Sequence, residues 1–168
     1  MFKKKAADEL AEHYFDTYGN QILRLAYSYL RNMTDAEDIL QETLIALLKK
    51  QRRFESAEHE KAYILKVAAN LCKNVLRRNK VLPTDQVEQL ISKEAAQDNT
   101  PDDPSDVWEA VKKLPVSQSE VVHLYYAEGY KTAEIARILD RNESTVRSDL
   151  RRARQTLKSI LEEDEFFE

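Results

Sequence analysis

Glycine and proline are almost missing from this chain, whose 168 residues include 2 of the first and 4 of the second. Sheets are punctuated by those residues at turns and bulges, and alternating β-branched runs are also scarce, so the expected fold is all-α. The single cysteine, Cys72, excludes an internal disulfide. Its place on the apolar side of a helical pattern makes it a small core residue rather than a nucleophile. His13, His59 and His123 are scattered without ligand spacing, so no metal site is expected. No phosphate loop and no nucleophile with a nearby base can be found, which leaves an enzyme without support and a cofactor without a site. Apolar runs long enough to span a membrane are lacking, and Met1 to Lys5 carry no apolar core of a signal peptide. The expectation is a cytoplasmic chain with no membrane insertion.

What is present is a 42% hydrophobic content, enough for packed cores in one ordinary domain or two small ones. The formal net charge of −4 argues against nucleic acid only until the charges are followed along the chain. Lys61, Lys66, Lys73, Arg77, Arg78 and Lys80 fall in a stretch without one acidic residue. Between Asp85 and Glu109 acids dominate, and Lys93 stands alone against them. Basic residues return at Arg141, Arg147, Arg151, Arg152, Arg154 and Lys158. Two basic blocks around an acidic one point to two nucleic-acid contacts and a segment that avoids or imitates DNA.

The second basic block lies in the most informative stretch, TAEIARILDRNESTVRSDLRRARQTLKSIL (Thr132 to Leu161). Thr132 can N-cap a short helix bearing Ile135, Ala136 and Leu139, Asp140 and Arg141 make a tight connection, and Asn142 can cap a longer helix. On that longer helix Val146, Leu150, Ala153, Leu157 and Leu161 share one buried stripe. The opposite face carries Ser144, Ser148, Arg151 and Gln155, with Arg147 and Arg152 on its shoulders. Guanidinium groups can bond guanine bidentately, and hydroxyls and amides reach base edges or phosphates, so this helix has the chemistry for a major groove. Taken alone, an Arg-rich helix is more often a solvated face. The capped helix and tight turn before it favour DNA.

Upstream, Asp8 to Arg31 is expected to form a first helix with Tyr14, Phe15, Tyr18, Ile22, Leu25, Ala26 and Tyr29 as its apolar side, weakened but not broken by Gly19. Thr34 with Glu37 reads as a capping box opening a second helix, whose inward face is Ala36, Ile39, Leu40, Thr43 and Leu47. Turned away from them are Asp38, Gln41, Glu42 and Ile45. An apolar residue in an acidic exposed face suits a protein interface with a basic partner, while periodicity alone slightly favours a solvated face with one stray Ile. Phe54 to Glu60 reads as a loop, and Lys61 to Arg78 as a third helix with Leu65, Ala68, Cys72, Val75 and Leu76 facing in. Its outer stripe is Tyr63, Lys66, Asn70, Lys73, Asn74, Arg77. An aromatic platform, amides and cations in one row meet the needs of single-stranded DNA: stacking, base-edge hydrogen bonds and phosphate neutralisation. The rival is an ordinary amphipathic helix with Tyr63 partly buried, although mid-helix asparagines are unfavourable without a partner. Val81 to Ser105 is an acidic, Pro-bearing linker with room for a short helix near Gln86 to Ala95. Asp106 to Leu114 opens a second unit, Pro115 ends that helix, Ser117 or Ser119 starts the next, and Gly129 allows the turn that follows. Glu162 to Glu168 form an acidic tail with Phe166 and Phe167.

Four stretches together, DAEDILQETLIALLKK (Asp35 to Lys50), YILKVAANLCKNVLRR (Tyr63 to Arg78), LPVSQSEVVHLYYAEGY (Leu114 to Tyr130) and TAEIARILDRNESTVRSDLRRARQTL (Thr132 to Leu157), resemble the sigma-70 family, and more narrowly the extracytoplasmic-function group of bacterial RNA polymerase sigma factors. The resemblance covers nearly everything outside the linker and tail. It implies region 2 over residues 1–80, a linker over 81–105, region 4 over 106–161 and a tail over 162–168. It also implies the partners: core RNA polymerase, met by Asp38, Gln41, Glu42 and Ile45 on the clamp helices of its largest subunit; the melted non-template strand of the minus-ten element, met by Tyr63, Lys66, Asn70, Lys73, Asn74 and Arg77; and the duplex minus-thirty-five element, met by Ser144, Arg147, Ser148, Arg151, Arg152 and Gln155. The C-terminal unit would touch the polymerase flap, and an anti-sigma factor is implied without a face for it. The family often has Trp where Tyr63 stands and a basic residue where Asp149 stands. A carboxylate at 149 would repel phosphate, so either Asp149 pairs with a neighbouring Arg or the helix docks at a tilt. The alternative function is a stand-alone helix-turn-helix regulator, which leaves the Asn-bearing stripe and the acidic Asp38 patch without a use.

Overall fold

The computed structural model describes residues 2–79 and 106–167, and no strand occurs among them. The linker expected over 81–105, with its short helix, lies outside the described residues. Packing divides the chain into two compact units. The first holds α1 (Phe2–Leu30), α2 (Met33–Lys50) and α3 (Ala57–Asn79); the second holds α4 (Asp106–Val111), α5 (Val116–Val122), α6 (Thr132–Leu139) and α7 (Glu143–Phe167). The all-α expectation therefore holds for the described residues.

In the first unit each helix packs on the other two. Ile22, Leu25, Ala26, Ile39, Ile64, Leu65, Ala68, Ala69 and Cys72 are buried where they meet. Each large aliphatic side chain so enclosed contributes about 1.5–3 kcal/mol, and the alanines and Cys72 let the backbones approach. Thr43 is also fully buried, and its hydroxyl donates to the Ile39 carbonyl at 2.7 Å. Burial desolvates the Cys72 thiol and pushes its pKa up to about 12, so the thiol is an inert core group.

Several local expectations are corrected. Phe15 does not join the α1 core but stands 53% exposed, although helical spacing sets it in line with the buried Ile22; its ring lies along its own helix beside Gly19. Gly19 is carried within α1, which starts at Phe2 rather than Asp8. Thr34 is not the cap of α2. Arg31 takes a left-handed conformation (φ 56°), and Asn32, extended, accepts the Asp35 N–H at 3.0 Å. Asn is at least as good a cap as Thr, and capping here lets the helix begin as soon as the chain has reversed. We expect Asn32→Ala to lower stability in urea unfolding by about 1 kcal/mol and Thr34→Ala by less than about 0.5 kcal/mol. Similarly, α3 begins at Ala57 inside the expected loop, since the Ser56 hydroxyl accepts the His59 N–H at 3.1 Å.

In the second unit α4 ends in a tight turn at Leu114, and α5 starts directly after Pro115, not at Ser117 or Ser119. Pro115 fits there because the first helical turn needs no N–H from it. The helix then widens into a π turn over His123–Ala127, closed by Glu128 N–H to His123 O at 3.2 Å. Gly129 (φ 74°) makes the reversal that a side chain would resist. Thr132 is the first residue of α6 rather than its cap, and Lys131 precedes it in extended conformation. Asp140 ends α6 in a left-handed conformation (φ 57°), and Arg141 N–H closes back on Ala136 O at 2.9 Å. The buried stripe of α7 is as expected at Val146, Leu150, Ala153 and Leu157, with Leu161 half-buried. The helix continues through the tail to Phe167.

Candidate nucleic-acid interface

On α2, Asp38, Gln41, Glu42 and Ile45 form one exposed ridge, since residues three and four apart are neighbours on a helix. Ile45 is 52% exposed, and Ala36, Ile39, Leu40, Thr43 and Leu47 turn the other way into the core. The ridge is a carboxylate and amide surface with an apolar residue at its end.

On α3 the predicted stripe divides. Asn70, Asn74 and Arg77 are exposed, whereas Tyr63, Lys66 and Lys73 are half-buried. The Tyr63 ring is not a bare platform: the Arg52 guanidinium stands 5.1 Å from its centroid, and the Phe54 ring lies 5.3 Å away. Phe54 in turn meets His59 edge-on at 5.6 Å. Arg52 and Phe54 belong to the loop before α3, where no periodicity marks them, so sequence reasoning did not include them. Amide donors and acceptors thus sit on the open part of the stripe, and the aromatic part carries a cation over its face.

On α7, Ser144, Arg147, Arg151, Arg152 and Gln155 are exposed and Ser148 is half-buried. Two carboxylates near this face, Glu143 and Asp149, are engaged. Glu143 accepts from Arg147 at 2.9 Å and from the Thr132 hydroxyl at 3.0 Å. Those two hydrogen bonds hold the Glu143 carboxyl below the usual carboxylate range. This link therefore operates above that range and fades as pH falls through the lowered value. Asp149 accepts from Arg141 at 3.3 Å, which is the pairing that the sequence allowed for it. Arg154 donates to the Tyr126 hydroxyl at 2.8 Å and stands over both the Tyr125 and Tyr126 rings, which removes it from the face of Ser144 and Gln155. Among the described residues Arg151 and Arg152 make no ion pair, which leaves two guanidinium groups available. Between α4 and α7 an apolar groove of about 410 Å³ is lined by Val107, Trp108, Val111, Leu157 and Leu161.

Family models for sigma-70 region 2 and for sigma-70 region 4 match residues 14–81 and 105–157. Over 159 residues the chain is 31% identical to the ECF RNA polymerase sigma factor SigM of Mycobacterium tuberculosis (strain ATCC 25618 / H37Rv), covering 93% of this chain and 80% of SigM. The chain belongs to the sigma-70 family. It is a sigma subunit of RNA polymerase of the extracytoplasmic-function type. RNA polymerase sigma factor SigV of Bacillus subtilis (strain 168) is 28% identical over 98% of this chain and 99% of its own length. The fold is shared with the sigma factor RpoE from Bartonella quintana, solved in complex with the anti-sigma factor NepR, at a TM-score of 0.67 and 22% identity over 90% of this chain and 96% of that one. The region 2 match contains the α2 ridge and the α3 stripe, and the region 4 match contains the exposed face of α7. Among the described residues no helix of this sigma factor is long and apolar enough to cross a membrane.

The two free arginines give an expected outcome. Arg151→Ala and Arg152→Ala should weaken duplex binding in different ways. Loss of a guanine contact should cost about 1–3 kcal/mol and relax preference at one base pair, whereas loss of a phosphate contact should weaken all sequences alike and reduce the salt slope by about 1. Titrations at several salt concentrations with a panel of single-base-pair variants separate the two, and unchanged affinity in both variants would mean that this face does not meet DNA.

Proposed function

We propose that this sigma factor directs promoter-specific initiation in an extracytoplasmic or stress response, working in the cytoplasm with core RNA polymerase and catalysing nothing itself. Residues 1–80 act as region 2, 81–105 as an acidic linker toward the catalytic cleft, 106–161 as region 4 and 162–168 as an acidic tail. The ridge of Asp38, Gln41, Glu42 and Ile45 docks on the clamp helices of the largest polymerase subunit. Tyr63, Lys66, Asn70, Lys73, Asn74 and Arg77 take the melted non-template strand of the minus-ten element. Ser144, Arg147, Ser148, Arg151, Arg152 and Gln155 enter the major groove at the minus-thirty-five element. The apolar groove between α4 and α7 offers buried area to the polymerase flap, and an anti-sigma factor is a further expected partner.

One observation carries this reading: two chemically different exposed faces lie on separate units, amides on α3 and free guanidinium groups on α7. Amides that bond base edges are of use on bases already unpaired, and a guanidinium face suits intact duplex. A stand-alone regulator would use only the second. The test is run-off transcription with purified core polymerase from a closed promoter and from the same promoter pre-opened by a mismatched bubble. Dependence on this protein for the closed template, together with co-purification with core polymerase, supports the proposal. Duplex binding without association with core polymerase favours the regulator.

A further inference from the structure

We infer that Arg141 is a positioning residue of the minus-thirty-five interface: it offsets the charge of Asp149 beside the DNA-facing side of α7 and ties that helix to α5. The inference rests on the proposal that this side of α7 meets the major groove. Arg141 lies in the turn between α6 and α7. Its Nη1 donates to the Ser117 carbonyl at 3.0 Å and to Asp149 Oδ2 at 3.3 Å, and its Nη2 donates to Glu120 Oε1. One side chain thus joins the first turn of α5, a glutamate one turn further along α5 and the second turn of α7. The Glu120 side chain is 0% exposed, Asp149 14% and Arg141 19%, so these contacts are largely shielded from water and salt.

The residue type follows from the geometry. A guanidinium presents donors in a planar fork and can serve a carbonyl and two carboxylates at once, while a lysine ammonium is a single point charge on a flexible stem. Asp149 follows Ser148 and stands one turn before Arg152, on the flank of the proposed interface. An unneutralised carboxylate there would repel the phosphates that Arg151 and Arg152 are placed to meet. With Arg141 beside it, the Asp149 carboxylate faces a guanidinium that it shares with Glu120. Asp149 therefore repels DNA weakly while Arg141 is present and more strongly once Arg141 is gone.

That conditional behaviour is what a double-mutant cycle reads. Since losing Arg141 also takes a guanidinium from the buried Glu120 carboxylate, the cycle is built in the full chain carrying Glu120→Gln, with thermal melting to confirm that each variant is folded. The probe is the duplex that wild-type protein, assembled with core polymerase, selects most tightly from a pool randomised over the minus-thirty-five position. At low salt Arg141→Met should weaken binding of this duplex about five- to tenfold. Asp149→Asn alone should change it less than about twofold, and Asp149→Asn added to Arg141→Met should restore most of the loss. The restored fraction should shrink as salt is raised. If Asp149→Asn strengthens binding equally with and without Arg141, the charge was never offset and the inference is overturned. If wild-type protein selects no sequence at this position, the assignment of the α7 face falls, and this inference with it; selection by wild type with an additive cycle overturns the inference alone.

Discussion

Asp38→Arg and Glu42→Arg are expected to abolish binding to core polymerase while the protein stays folded. Both carboxylates stand exposed on α2, on the side away from Ile39, Leu40 and Leu47, so reversing them touches no core contact. Surface substitutions of this kind change stability by less than about 0.5 kcal/mol. Against a basic partner the same change replaces attraction with like-charge repulsion, which costs several kcal/mol, or about a hundredfold and more in affinity. Ile45→Ala should weaken binding through lost buried area, and with little dependence on salt, whereas the charge reversals should be most severe at low salt. Circular dichroism melts beside a core-polymerase pull-down distinguish a lost interface from a lost fold. Wild-type affinity in the Asp38→Arg protein would assign this ridge to solvent.

The other large effect concerns the melted strand. Asn70→Ala and Asn74→Ala together should strongly reduce open-complex formation on a closed promoter, because each removes an exposed amide from α3 that the proposed contact uses, while the exposed Arg77 is untouched. Capturing a base requires unstacking it, which costs a few kcal/mol, so a lost contact of similar size moves the balance back to the closed state. The first encounter with duplex, which the proposal assigns to α7 and to charge, should change much less. The helix itself should gain stability, since Ala is the better helix former by a few tenths of a kcal/mol. Permanganate reactivity of thymines in the minus-ten region reports the melting directly. Wild-type reactivity in the double variant would show that these amides face only water.

What could be read from the sequence was set by local periodicity. Apolar spacing identified the buried side of α2 and of α7 residue by residue, because a helix places positions three and four apart on one face whatever it packs against. The order of four motifs identified the family, and the same patterns supplied the candidate α2 ridge, α3 stripe and α7 face. Helix boundaries were less legible: Asn32 and Thr34 are both competent caps, and the choice between them depends on where the chain reverses.

Tertiary structure alone decided which polar groups find one another. Arg141 bonds Glu120 and Ser117 far earlier in the chain, Thr132 bonds Glu143 across the helix-turn-helix, and Arg52 reaches over Tyr63 from a loop. A charged side chain's pattern along one helix carries no information about a partner brought near by the crossing of another. Asp149 shows the difference: its position beside the proposed DNA-facing side followed from helical spacing, but whether it stands there as a free carboxylate was settled by the guanidinium that the fold of α5, α6 and α7 places against it.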